Sequence, residues 1–176
     1  MLMDPTQFSI TQSKEMGLWP PSDIVAHGIW PYIKRLKETD LKVIDVGVMK
    51  GENAAYLLEK DTENKIKKIY GVISYDSQRQ EEFQGYEEIL KRNVEGLGRI
   101  SLANFNGSAH VVCVHADSDL DSNLEKYYDT VKSNGIFCGN EHHLDRVKVS
   151  LSNFRRKNKI GTPILVSNGC WFWYKR

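Results

Sequence analysis

The chain has 176 residues, 40% of them hydrophobic and 27% charged, and its 24 basic and 23 acidic side chains leave a formal net charge of +1. That length fits one domain with enough apolar material for its own core, and so even a balance excludes the broad positive field that gathers nucleic acid or an anionic membrane. No apolar run approaches the roughly 18–20 residues that a membrane helix needs, and residues 1–10 lack the basic start and apolar stretch of a secretory signal. Local basic runs at Lys65, Lys67 and Lys68, and at 155–159, read as solvated faces. Cys113, Cys138 and Cys170 lack metal-knuckle spacing, so free thiols in a reducing, cytoplasmic compartment are expected.

Residues 1–16 are polar and irregular and read as a loose arm. A helix is expected over 22–37, capped by Ser22, with Ile24, Val25, Ile29, Trp30, Ile33 and Leu36 in its apolar stripe and Pro31 kinking or splitting it. From residue 41 the pattern alternates. Strands are expected over 42–48, 68–74, 100–105, 110–115 and 135–139, and helices over 52–60, 77–95, 121–132 and 144–157. Segments 162–167 and 170–174 flank Asn168-Gly169, a strong two-residue hairpin signal. This alternation predicts an α/β domain, a mainly parallel central sheet with helices on both faces and a C-terminal antiparallel hairpin. The chain divides into an N-terminal arm and helical segment, 1–40, packing on the core, and an α/β domain, 41–176.

The most informative stretch is Val43-Ile44-Asp45-Val46-Gly47-Val48-Met49-Lys50-Gly51-Glu52-Asn53-Ala54. An apolar strand ends in an acid, passes through two glycines and opens a helix. Glycine lets the backbone approach a ligand without a Cβ in the way. The helix N-terminus presents free amide donors, and the acid can accept from an amine or a hydroxyl. Gly-x-Gly-x-x-Gly is absent, so this is not a dinucleotide fingerprint.

The order acid-x-Gly-x-x-x-Gly directly after the first strand resembles the first motif of class I S-adenosylmethionine-dependent methyltransferases. Asn134-Gly135-Ile136-Phe137-Cys138-Gly139-Asn140-Glu141 resembles the fifth-strand region of the small members, and Asn168-Gly169-Cys170-Trp171-Phe172-Trp173 their closing hairpin. The resemblance covers about 41–176. It implies a Rossmann-like methyltransferase fold with S-adenosylmethionine as cofactor and S-adenosylhomocysteine as product. It puts Asp45, Gly47 and Gly51 at the methionine part of that cofactor, with Lys50 between the glycines counted alongside them.

The chain departs from the family pattern at two places. Ile73 stands where an acid should grip the ribose hydroxyls, and Asp76, three residues on, is the candidate substitute. The connection at 106–109 has no room for a crossover helix, which parallel neighbours need.

Two polar segments should meet above the carboxyl edge of the sheet, where open α/β folds bind ligands. They are His115-Ala116-Asp117-Ser118-Asp119 and Asn140-Glu141-His142-His143. In related methyltransferases carboxylates here hold a divalent metal. Imidazole with carboxylate would suit zinc, iron or manganese, but solvated loop residues and helix caps are the preferred reading, so no metal is assigned. His115 and Glu141 are the residues expected nearest the chemistry. The resemblance implies methyl transfer to a small molecule at oxygen, without nucleic acid or membrane. The alternative is a methyltransferase fold that no longer methylates, as a binding module or another metal-assisted enzyme. The apolar N-terminal helix and the tryptophan-bearing hairpin are surfaces through which a homodimer could form.

Overall fold

Seven strands form one sheet in a computed structural model that describes residues 9–21, 24–75, 81, 85–102, 105 and 107–176. They are β1 (Leu41–Val46), β2 (Ile66–Val72), β3 (Ile100–Leu102), β4 (Ala109–Val114), β5 (Val131–Gly139), β6 (Leu165–Ser167) and β7 (Cys170–Tyr174), in the order β3-β2-β1-β4-β5-β7-β6. The first five run parallel. β7 enters antiparallel between β5 and β6. The helices are α1 (Ile10–Glu15), α2 (Val25–Ile33), α3 (Glu52–Lys60), α4 (Tyr86–Val94), α5 (Leu120–Tyr127) and α6 (Asp145–Lys157).

Alternate residues of each central strand point to opposite faces, and this splits the core in two. Leu41, Val43, Ile69, Val111, Cys113, Ile136, Cys138 and Phe172 pack with α2 and α3. Ile44, Val46, Val112, Val114, Phe137, Trp171 and Trp173 pack with α5 and α6. Strands covered on both faces read as continuous apolar runs, which is why β1 and β4 were legible. The three cysteines are free and buried. Among the described residues, no helix is long and apolar enough to cross a membrane.

The N-terminal segment is part of this packing. Val25, Ala26, Ile29 and Ile33 of α2 are fully buried. Gly28 lies so close to the Ser167 carbonyl and the Cys170 side chain that a Cβ would overlap both. The expected Ser22 cap lies outside the described residues. Pro31 does not split the helix, which runs through it and stops two residues later at Ile33. Lys65 is not merely a solvated charge: its ammonium reaches the Lys34 and Leu36 carbonyls at 2.8 and 2.5 Å, beyond the end of α2. Arg155 likewise lies over the Trp173 ring at 4.8 Å.

Other boundaries also shift. Of the long helix expected over 77–95, residues 77–80 and 82–84 lie outside the described residues; α4 runs from Tyr86 to Val94, preceded by Gly85 at φ +87. The helix expected to reach 132 ends at Tyr127 with a short 3-10 turn, Tyr128–Thr130, and residues 131–134 belong to β5 instead. Lys132, Ser133 and Asn134 are exposed polar residues in a stretch where the β4–β5 register slips, Val131 pairing with Ala109 and Ile136 with Val111, while the Asn134 amide donates to the Lys175 carbonyl. The connection from β3 to β4 spans only residues 103–108. Phe105 from this connection stacks on Tyr70 of β2, ring centroids 4.1 Å apart. At the hairpin, Asn168 and Gly169 both take positive φ, +48 and +74, the geometry a two-residue turn demands.

Candidate functional site

The chain leaves β1 for β2 on one side and returns as β4 on the other. That makes the carboxyl edge between β1 and β4 the topological switch point of the sheet. Asp45 lies near the end of β1 with its side chain fully buried. His115 follows β4, and its Nε2 lies 2.6 Å from Asp45 Oδ1. Asn53 of α3 donates through Nδ2 to the same oxygen at 3.1 Å. Asp45 Oδ2 is buried and has no hydrogen-bond partner among the described residues. A buried carboxylate oxygen left bare is costly, and here both donors lie on one oxygen and none on the other.

An ionised carboxylate only accepts, so Nε2 of His115 carries the hydrogen and a neutral His115 has its lone pair on Nδ1. Burial pushes the His115 pKa down, but Asp45 beside it, with Glu52 and Asp117 further off, outweighs burial and holds it above its ordinary 6.5.

The glycine turn has left-handed backbone at Gly47 (φ +80) and Gly51 (φ +86), and also at Met49 (φ +49), where a side chain resists it. The room beside Gly47 is taken by the protein itself: a Cβ there would lie 2.8 Å from Ser118 Cβ and 3.4 Å from His115 Cβ. Gly51 faces Leu90 and Val94 of α4, at 3.1 and 3.3 Å from such a Cβ. Both glycines therefore let neighbouring elements close on the turn. Lys50 is buried, pairs with Glu52 at 3.0 Å and lies over the Tyr86 ring at 5.4 Å. Asp76 lies outside the described residues. Ile73 is 40% exposed just past β2, an apolar side chain where the family pattern has an acid.

Across the edge, Glu141 takes φ +54 and pairs with Arg146 of α6 at 3.1 Å. Arg146 also donates to the Ala116 carbonyl at 2.8 Å and approaches Asp117 at 3.7 Å. Asn140 Oδ1 accepts from the Ala116 amide at 2.8 Å. These contacts join the loops after β4 and β5, and they bring Glu141 to the same edge as His115. Among the described residues, no group of three or more His, Cys, Asp or Glu side chains is arranged to hold a metal ion.

Sequence reasoning overlooked Asn53 and Arg146. The available signals were slight: an asparagine in an alanine-rich helix, which favours alanine or leucine, and an arginine in a first turn, against the helix dipole.

No family model matches the chain, and no curated protein matches it in sequence. Solved structures do match it in fold. A SAM-dependent methyltransferase from Aquifex aeolicus is 16% identical over 97% of this chain and 97% of that one, with a TM-score of 0.52. A SAM-dependent O-methyltransferase from Thermotoga maritima is 14% identical over 92% of this chain and 69% of that one, with a TM-score of 0.59. A precorrin-6y C5,15-methyltransferase from Geobacter metallireducens is 13% identical over 81% and 83%, with a TM-score of 0.57. At such identities the likeness is one of architecture. With its parallel sheet, inserted antiparallel β7 and acid-glycine turn at the switch point, the chain has the fold of the class I S-adenosylmethionine-dependent methyltransferases.

Proposed function

We propose that the protein binds S-adenosylmethionine and transfers its methyl group to a small-molecule acceptor at oxygen. One observation carries the reading. Asp45 is buried beside the Gly47–Gly51 turn with both protein donors on Oδ1 and with Oδ2 bare. An ammonium group is the kind of donor that such an oxygen would take, so the residues fit the amino group of this cofactor. Asp45, Gly47, Lys50 and Gly51 would hold it, Asp76 being the candidate for the ribose. When bound, the cofactor supplies an electrophilic methyl group for direct displacement.

The chain's own task is then to align the acceptor and take its proton. His115 would do the latter through Nδ1, its other nitrogen being held by Asp45, in the way a carboxylate fixes the tautomer of a catalytic imidazole. Glu141, held by Arg146, would contact the acceptor from the facing loop. A base must be unprotonated to act. The raised His115 pKa therefore predicts activity that rises with pH and reaches its plateau above pH 6.5.

The test is calorimetric titration of S-adenosylmethionine and S-adenosylhomocysteine into the protein and into Asp45→Asn. Saturable binding that the substitution weakens by about a hundredfold or more, the scale of ~3 kcal/mol, supports the reading. A second reading, the same fold without methyl transfer, is favoured by the exposed Ile73 at the ribose position. Absence of binding at millimolar cofactor by well-folded protein would select it.

A further inference from the structure

Asn53 stands where β1, α2 and α3 meet, with 2% of its surface exposed. Its Oδ1 accepts from the Ala26 amide at 2.6 Å and its Nδ2 donates to Asp45 at 3.1 Å. The N-cap of α2 is Ile24, which offers no side-chain acceptor. Asn53 thus satisfies, from another helix, one of the amides that a helix start leaves bare. The two ends of its side chain are not interchangeable. A backbone N–H can only donate, so Ala26 holds the oxygen and turns the NH2 group onto Asp45.

We propose that Asn53 is a positioning residue: anchored by α2, it orients the Asp45 carboxylate so that Oδ1 serves Asn53 and His115 and Oδ2 is kept for a ligand's donor. The part of this that concerns a ligand rests on the cofactor reading above. The part that concerns His115 does not.

Three acidic groups face His115: Asp45 from β1, Glu52 from α3 and Asp117 from its own loop. Among them only Asp45 shares an oxygen with Asn53. The asparagine amide draws on the lone pairs that would otherwise serve the imidazole alone. Removing that amide strengthens the remaining contact, and His115 then keeps its proton to a higher pH. A residue that merely capped α2 would not move that titration.

The experiment compares the full chain with Asn53→Ala by NMR titration of the His115 ring and by calorimetry with S-adenosylhomocysteine. The expected result is a His115 midpoint raised by about half a pH unit or more, with affinity about tenfold weaker. An unmoved midpoint accompanied only by a lower melting temperature overturns the proposal. If Asn53→Ala does not fold, Asn53→Ser keeps an oxygen for the Ala26 amide and removes the amide donor toward Asp45 without adding a charge. The same upward shift is expected there, and an unchanged midpoint overturns the proposal equally. If the parent protein binds no S-adenosylhomocysteine while the His115 shift appears, the cofactor reading fails and Asn53's hold on the Asp45–His115 pair stands.

Discussion

On β1, Ile44 and Val46 turn toward α5 and α6, while Val43 and Asp45 turn toward α2 and α3. The same alternation runs through the sheet, yet the two faces spend it differently. The α5–α6 face is closed by aromatic packing. Trp171 and Trp173 stack with centroids 5.3 Å apart, Phe137 meets Trp173 edge-on at 5.3 Å, and Arg155 lies across Trp173. The α2–α3 face carries a buried carboxylate, an imidazole and an amide at its carboxyl edge. Both faces hold polar atoms without partners among the described residues, but of different kinds. The Trp171 and Trp173 indole N–H groups sit in closed aromatic packing, whereas Asp45 Oδ2 is an acceptor on an acid at the sheet's switch point. The comparison separates a face closed by aromatic packing from one that carries an acidic acceptor without a partner among the described residues.

The largest expected effect tests the first face. Trp173→Ala removes a fully buried indole and should cost about 3–5 kcal/mol in a urea melt, while calorimetry at a temperature where the variant is folded should find ligand affinity unchanged. A lost affinity would show that the faces are not separable. Gly47→Ala tests the second face. It forces a Cβ against Ser118 at a positive φ, and a cost of about 1–3 kcal/mol is expected, this time together with weakened binding of S-adenosylhomocysteine.

pH dependence should also belong to the second face. His115 has a folded pKa above its ordinary 6.5, so its contribution to stability is complete below that value and is lost as pH rises through the folded pKa. Denaturant midpoints on either side of this window should differ less in His115→Gln than in the parent, and an equal difference would detach the effect from this pair. The smallest effect is at Met49, a side chain held at φ +49. Met49→Gly relieves that conformation but loosens the unfolded chain, so a gain of at most about 1 kcal/mol is expected in the same melt.

What could be read from the sequence was what depends on neighbours along the chain. The acid, the two glycines and the helix start lie within Asp45 to Glu52, and α3 falls where its composition placed it, Glu52–Lys60. Asn168-Gly169 specified its turn for the same reason. The start of β5 was hidden because 132–134 are polar and exposed and the β4–β5 register slips across them. At the site, the sequence named Asp45 and His115 separately, but their contact joins residues 70 positions apart. No spacing rule reaches that far. The filling of the space beside Gly47 by Ser118 was concealed by the same distance.

β7 lies between β5 and β6, and its residues from Cys170 to Tyr174 are the last to leave the ribosome of any strand in this sheet. A growing chain can assemble β1, β2, β4 and β5 much earlier, but until residue 174 emerges the outer edge of β5 is bare and Phe137 lacks both tryptophans. Helix α2 waits as well, since Gly28 docks against the hairpin that β7 completes. Two segments far apart in the chain, α2 and the β6–β7 hairpin, therefore seal the molecule together. A nascent chain halted before Cys170 would present an unpaired apolar strand, the kind of surface that chaperones hold and that aggregation exploits.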